Sequence, residues 1–240
     1  MPTQMEKLQA HAAHLLDAFI QLRERYALLE PMLFSEVVSK ERGSGKQARG
    51  FRILKHSLFL SCSQDIAKLT LDDDERTPSL ANLVRALSDD ALRAELKETF
   101  AVWKIPLVEE ETEPEIVEAL RRMELREEAQ RGDQFDALYC EATALWAKLS
   151  TSSTIKGFRT IRDKVSAHTE VRFIVDKYQF VDIGTLGIKW GDLRSIIDEM
   201  QRLVELVGLL IRNAGFAWDM LDGQLSKASE GFWATPNAAS

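Results

Sequence analysis

The segment from Arg162 to His168 combines residue types that could act on an anionic substrate. Its seven residues read Arg-Asp-Lys-Val-Ser-Ala-His. Arginine stays positively charged in proteins, and histidine gains or loses a proton near neutral pH. The surrounding residues 154–172 contain five basic and two acidic side chains, whereas the whole chain has a net charge of −7. This balance argues against a broad nucleic-acid surface and leaves room for a small local site.

Helix geometry limits how Arg162 and His168 could act together. On a straight α-helix, six residues advance about 600°, so the two side chains would point about 120° apart and lie about 9 Å apart along the axis. Arg162 and Ser166, four residues apart, would instead share a face. A joint role for Arg162 and His168 therefore requires the helix to end or distort near His168, or a second subunit to supply the missing group.

A structural role for the same histidine is the competing interpretation. Phe158, Ile161, Val165 and His168 follow one another at steps of three, four and three residues. This spacing places His168 on the apolar stripe of a helix, where it would pack in a core or an interface. Arg162 would then be a surface arginine paired with a nearby carboxylate.

Two other polar segments do not match known binding loops. The string Gly43-Ser44-Gly45-Lys46 resembles part of a phosphate-binding loop, but Lys40 stands where that loop needs a glycine. Gln47 also replaces the serine or threonine that would contact magnesium. The acidic run 72–75 lacks the ligand spacing and the glycine of a calcium loop, so we interpret it as a solvated turn.

The cysteines and the N-terminal residues favour a cytoplasmic protein. Cys62 and Cys140 are too far apart in the sequence to suggest a disulfide framework or a zinc site, and both lie in helical patterns. We interpret them as small buried apolar residues in a reducing compartment. Residues 1–4 do not begin a signal peptide, and no apolar run is long enough to cross a membrane.

Apolar residues at steps of three and four predict an all-α fold. We expect a bundle of about four main antiparallel helices with shorter helical insertions. The predicted domain covers residues 1–222, with a helical insertion at about 72–130 and a disordered tail at 223–240. Pro31 is expected to end or bend the first helix, and residues 131–133 to break a later one. The β-prone stretch 171–187 predicts either an irregular loop or a short hairpin.

The segment from Arg162 to His168 resembles the R-x(4–6)-H signature of HEPN domains, with five intervening residues. The residue pattern Arg-Asp-Lys-x-x-Ala-His is especially similar to the motif of the abortive-infection U-type (AbiU-like) branch of that family. Trp190-Gly191-Asp192-Leu193, which opens a long final helix, is similar as well. The resemblance extends over helix order from about Leu8 to Asn213.

This resemblance implies a metal-independent endoribonuclease without a cofactor, acting as a toxin or phage-defence effector. His168 would remove the proton of a ribose 2′-hydroxyl or assist the leaving 5′-oxygen. Arg162 would hold the scissile phosphate, and Asp163 would orient one of these groups. The residues that would contact phosphate or RNA are Lys164, Ser166 and Arg159.

The resemblance also implies a homodimer in which the two motifs face each other across a cleft. Arginine from one subunit could then complement histidine from the other. Many HEPN domains lack nuclease activity, so a non-catalytic interaction or nucleotide-binding module is the alternative function. A third possibility is a subunit that pairs with a nucleotidyltransferase antitoxin.

Overall fold

The structure is a computed structural model that describes residues 3–106, 112–166, 171–174, 176–180 and 188–234. Helices dominate these residues, and a five-residue π-helical segment, Arg162–Ser166, follows one of them. The α-helices are α1 Gln4–Phe34, α2 Glu36–Arg42, α3 Ala48–Leu71, α4 Leu80–Leu87, α5 Asp90–Ala101, α6 Pro114–Thr151, α7 Ser153–Ile161, α8 Trp190–Arg212 and α9 Trp218–Trp233. The all-α prediction is confirmed.

Four long helices, α1, α3, α6 and α8, form the main bundle. Helix α1 packs against both α3 and α8, while α6 packs against α8 and α5. The α1 stripe is fully apolar at alternating steps of four and three, and every member is buried: Leu8, Ala12, Leu15, Phe19, Leu22, Tyr26 and Leu29. Its burial against two neighbouring helices explains why the sequence pattern predicted this helix well.

Helix α1 continues past Pro31 to Phe34, so the proline does not end it. A proline inside a helix cannot donate a hydrogen bond to the carbonyl four residues earlier, which here belongs to Ala27. The hydroxyl of Ser229 donates to that carbonyl over 2.7 Å. A side chain from another helix thus satisfies the acceptor that Pro31 leaves open.

Residues 131–133 were expected to break a helix, but α6 runs through them without interruption. Gly132 is buried, and a Cβ added there would lie 3.3 Å from Cε of Lys97 on α5. The Nε and Nη2 atoms of Arg131 donate to the carbonyl of Phe100 over 2.9 and 2.7 Å. The hydrogen bonds of Arg131 and the close packing at Gly132 therefore hold α6 against the C-terminal half of α5.

The β-prone stretch contains a short antiparallel hairpin. Strand β1, Val171–Ile174, pairs with β2, Lys177–Phe180, so that Val171 lies opposite Phe180. Asp176 in the turn adopts a left-handed backbone with φ of 61°, a conformation that aspartate tolerates better than most residues. Residues 181–187 lie outside the described part of the chain.

Residues 223–240 were predicted to be a disordered tail. Helix α9 instead continues through residue 223 and ends at Trp233. Trp218 at its start stacks edge-on against Phe19 of α1, with ring centroids 5.8 Å apart. Further along, Ser229 is buried against α1. The prediction of disorder is therefore wrong for residues 223–233, and residues 235–240 lie outside the described chain.

The two cysteines differ in exposure. Cys62 on α3 is fully buried, and burial raises the pKa of its thiol to about 12. Cys140 on α6 is exposed, so the prediction that both are buried is wrong for this residue. Among the described helices, none has the length and apolar character needed to cross a membrane.

Candidate functional site

Helix α7 fixes the position of the segment that contains Arg162. The hydroxyl of Ser152 accepts the Thr154 backbone N–H over 3.2 Å and starts the helix. Ile155, Phe158 and Ile161 are completely buried, and α7 packs against α3. Because Ile161 is anchored in the core, the backbone of Arg162 begins at a defined place on the bundle.

Regular α-helix ends at Ile161, and Arg162–Ser166 form a π-helical segment that also packs against α3. A π-helical turn bonds residues five apart and therefore displaces the side chains that follow from their α-helical positions. Such turns are frequent at functional sites. The helix is therefore distorted directly after Ile161, the last buried residue of α7, at the arginine end of the motif.

Arg162, Asp163 and Arg159 form a small charged group at this distortion. The Nε of Arg162 donates to Oδ1 of Asp163 over 2.8 Å. The Nε of Arg159 lies 3.7 Å from the other carboxylate oxygen of Asp163. The Arg162 side chain is 30% exposed and that of Arg159 is 59% exposed. Arg162 is therefore held by a carboxylate while part of its side chain reaches solvent.

Three more predicted site residues follow Asp163 in the sequence. Lys164 lies within the π-helical segment, is partly buried and has an interaction partner. Ser166 ends the segment. His168 lies outside the described residues, and of the predicted pair the structure places Arg162.

A chain segment beyond the hairpin returns to α7 at Gly157. A Cβ added to Gly157 would lie 2.9 Å from Cδ1 and 3.2 Å from Cγ1 of Ile188. Glycine is therefore the residue that allows Ile188 to approach the helix this closely. The sequence shows the glycine but not its distant partner, so periodicity alone could not reveal this contact.

The segment Trp190–Leu193 begins α8 beside the same region. The Trp190 ring stacks edge-on against Phe59 of α3 at 4.8 Å, and Nζ of Lys55 lies 5.0 Å from the Trp190 ring centroid. The Lys189 backbone N–H donates to a carboxylate oxygen of Asp192 over 2.8 Å. The two ring contacts join the start of α8 to α3, the helix against which the π-helical segment packs.

A family model described as AbiU2, a HEPN family, matches residues 5–232 of the chain. The chain belongs to the AbiU2 family of HEPN domains. The match runs from the first turn of α1 to the last turn of α9, and it includes the segment from Arg162 to His168. No curated protein and no solved structure shows significant similarity to the chain.

The AbiU2 chain has no group of three or more histidine, cysteine or acidic side chains suited to a metal ion among its described residues. Arg162 and its neighbours instead offer cationic hydrogen-bond donors, the groups that bind phosphate without a metal. The cationic donors at the end of α7 and in the π-helical segment have the chemistry to contact an anion, whereas proton transfer would depend on His168.

A polar cleft of about 290 Å³ between α1, α8 and α9 was not predicted. Arg23 bonds to Gln201 and Asp222, and Arg194 bonds to Glu30. These charges come from residues far apart in the sequence, so no local pattern reveals them. Because the basic groups are paired inside the cleft, we assign it to the packing of the three helices.

Proposed function

We propose that this AbiU2 protein is a metal-independent endoribonuclease of the HEPN type that acts as a toxin or phage-defence effector. The observation that supports the proposal most strongly is the position of Arg162. It lies where α7 changes to a π-helical segment, with its guanidinium held by Asp163 and its side chain 30% exposed. This arrangement offers a phosphate a positioned cation at the start of the family motif.

In the proposed reaction, neutral His168 removes the proton from a ribose 2′-hydroxyl. The 2′-oxygen attacks the adjacent phosphorus, and the bond from phosphorus to the 5′-oxygen breaks. The products are a 2′,3′-cyclic phosphate and a 5′-hydroxyl, whose oxygen takes a proton from water as it leaves, while protonated His168 returns its proton to solvent. A histidine can perform such transfers near neutral pH. Arg162 stabilises the additional negative charge on the phosphoryl oxygens in the transition state.

Asp163 acts as a positioning residue in this scheme, because it holds Arg162 rather than the substrate. Arg159 is more exposed and lies further from Asp163. We therefore assign Arg159, Lys164 and Ser166 to contacts with neighbouring phosphates, where they contribute to RNA affinity more than to the chemical step.

The proposal includes a homodimer that brings the two motifs together. A composite site would combine Arg162 of one copy with His168 of the other, which removes the need for both to share one helix face.

Expression in a bacterial host tests the proposal. We expect wild type to slow growth and fragment cellular RNA, and His168→Ala to do neither. His14→Ala is the matched control, since that side chain is 70% exposed on α1; it should behave like wild type. Equal growth and intact RNA in wild type and His168→Ala would contradict the nuclease proposal.

The alternative is a non-catalytic helical module that binds nucleotides or a partner such as a nucleotidyltransferase antitoxin. The net charge of −7 favours it, because most of the surface would repel RNA. This alternative predicts that Arg162→Ala and His168→Ala change the melting temperature or dimerisation while no variant, wild type included, cleaves RNA.

A further inference from the structure

A second cleft, of about 390 Å³, lies between the α2–α3 connection and the C-terminal end of α9. We call it the aromatic–basic cleft. Its lining includes Arg42, Lys46, Phe51, Leu54, Phe232 and Trp233. Among the described residues, no carboxylate side chain lines it. Its chemistry therefore differs from that of the polar cleft, where acids and bases pair with one another.

The charge around this cleft is strongly positive. Residues 40–55 contain six basic and one acidic residue, a net charge of +5 in a chain whose net charge is −7. Within the described part of the chain, Lys46, Arg49 and Arg52 form no ion pair. The first turn of α3 also lacks an acidic residue, although acids are favoured at that end of a helix. Lys46 lines the cleft, and Arg49 and Arg52 follow it in the first two turns of α3.

The aromatic side of the cleft is held in place. The Trp233 indole N–H donates to the carbonyl of Leu28 over 3.1 Å, and the ring packs edge-on against Phe51 at 6.1 Å. Phe232 packs edge-on against Trp233 at 4.9 Å and has a relative exposure of 56%. The cleft therefore presents one fixed ring and one exposed ring next to the basic residues.

We propose that the aromatic–basic cleft binds one nucleotide unit, with its base against Phe232 and Trp233 and its phosphate near Arg42 and Lys46. Proteins that bind single-stranded nucleic acids combine aromatic rings for the bases with a basic groove for the backbone. The nucleotide belongs to an RNA strand or is a free mononucleotide; only the first source rests on the proposed function.

The position of α3 favours an RNA strand as the source. Arg49, Arg52 and Lys55 follow at three-residue steps, so they form a basic row that extends about 9 Å along α3 and winds by about 120° around it. The π-helical segment that begins at Arg162 packs against the same helix. One strand could contact the cleft and follow this basic row on the helix that also supports the motif.

RNA binding by the full-length protein tests the inference. The probe is a fluorescein-labelled, fully 2′-O-methylated 12-nucleotide single strand, which attack by a 2′-hydroxyl cannot cleave. We expect Phe232→Ala/Lys46→Ala to raise its Kd about 10- to 100-fold. The matched control is Met220→Ala/Lys227→Ala, which removes an exposed apolar side chain and a lysine from α9 outside the cleft. It should stay within about twofold of wild type.

The two single variants separate stacking from charge. Lys46→Ala should reduce the slope of log Kd against log salt by about 0.7, the contribution of one phosphate contact on a single strand. Phe232→Ala should weaken binding without changing that slope. Thermal melting of each variant by circular dichroism checks that the fold is retained, which we expect because both side chains are exposed.

Equilibrium dialysis with radiolabelled AMP tests the second source. If only AMP binding is lost in the cleft variant, the cleft takes a free mononucleotide. If the cleft variant binds both AMP and the oligonucleotide as tightly as the control variant does, the inference is overturned. This result is separate from the proposed function, because it is measured by binding, whereas the nuclease proposal depends on cleavage through His168.

Discussion

The hydroxyl of Ser229 on α9 donates a 2.7 Å hydrogen bond to the carbonyl of Ala27 on α1. This is the carbonyl that Pro31, four residues later, leaves without its helical donor. One turn further along α9, Trp233 bonds to the next carbonyl, that of Leu28. Helix α9 therefore packs on the turn of α1 in which Pro31 cannot donate a backbone hydrogen bond.

Ser229→Ala should lower the free energy of unfolding by about 0.5–1.5 kcal/mol, because it removes the side-chain donor to the partly buried Ala27 carbonyl. In a Pro31→Ala background the backbone N–H of residue 31 can supply that bond. The same serine substitution should then cost less. Urea denaturation of the four proteins of this double-mutant cycle measures the difference, and equal costs in both backgrounds would contradict the docking account.

Gly157→Val should destabilise the protein by about 1–3 kcal/mol, since the added side chain would overlap Ile188. Combining it with Ile188→Ala should cost less than the sum of the two single changes, because the smaller side chain leaves room for valine. Gly223→Val is the matched control: that helical glycine has no atom within 4 Å of an added Cβ. Thermal melting that ranks Gly223→Val as the more damaging change would argue against the contact.

Cys62 and Cys140 should differ in reactivity. At pH 8, iodoacetamide should modify Cys140 alone, because Cys62 is buried and its pKa is raised to about 12. The neutral thiol of Cys62 contributes stability that is complete below its unfolded pKa near 9 and is lost as pH rises toward 12. Mass spectrometry of native and urea-unfolded protein checks this. Comparable labelling of Cys62 in native protein would contradict it.

A heterodimer of Arg162→Ala and His168→Ala should regain activity if the site is shared between subunits. One of its two composite sites would hold both native residues, so about half of wild-type cleavage is expected. Co-expression with two different affinity tags, followed by purification on both, isolates this heterodimer. Each variant homodimer serves as an inactive control. A heterodimer as inactive as its parents would rule out the shared site.

The sequence predicted those parts of the fold that depend on local pattern. The α1 stripe and the long helices follow from the spacing of apolar residues. Helix α9 was not predicted, because its docking depends on Ala27 and Leu28, about 200 residues earlier in the chain. Arg131 was read as part of a break for the same reason, since its partner, Phe100, lies on another helix.

For the candidate site, the motif itself identified Arg162 and Asp163, and spacing alone indicated that a regular helix could not serve it. The form of the distortion, a π-helical segment directly after buried Ile161, depends on packing against α3 and was not predictable. The excess of basic residues in 40–55 was visible in the sequence and indicated the basic half of the aromatic–basic cleft. Its aromatic half comes from the end of α9, which the sequence pattern did not predict.

The central claim is that His168 and Arg162 cleave RNA without a metal, and purified protein tests it most directly. A single-stranded RNA is incubated with wild type, Arg162→Ala, His168→Ala and His14→Ala in excess EDTA. We expect wild type and His14→Ala to release fragments ending in 2′,3′-cyclic phosphate, and each motif variant to be slower by at least about 100-fold. Equal cleavage by wild type and His168→Ala, or no cleavage by any of the four, would contradict the claim.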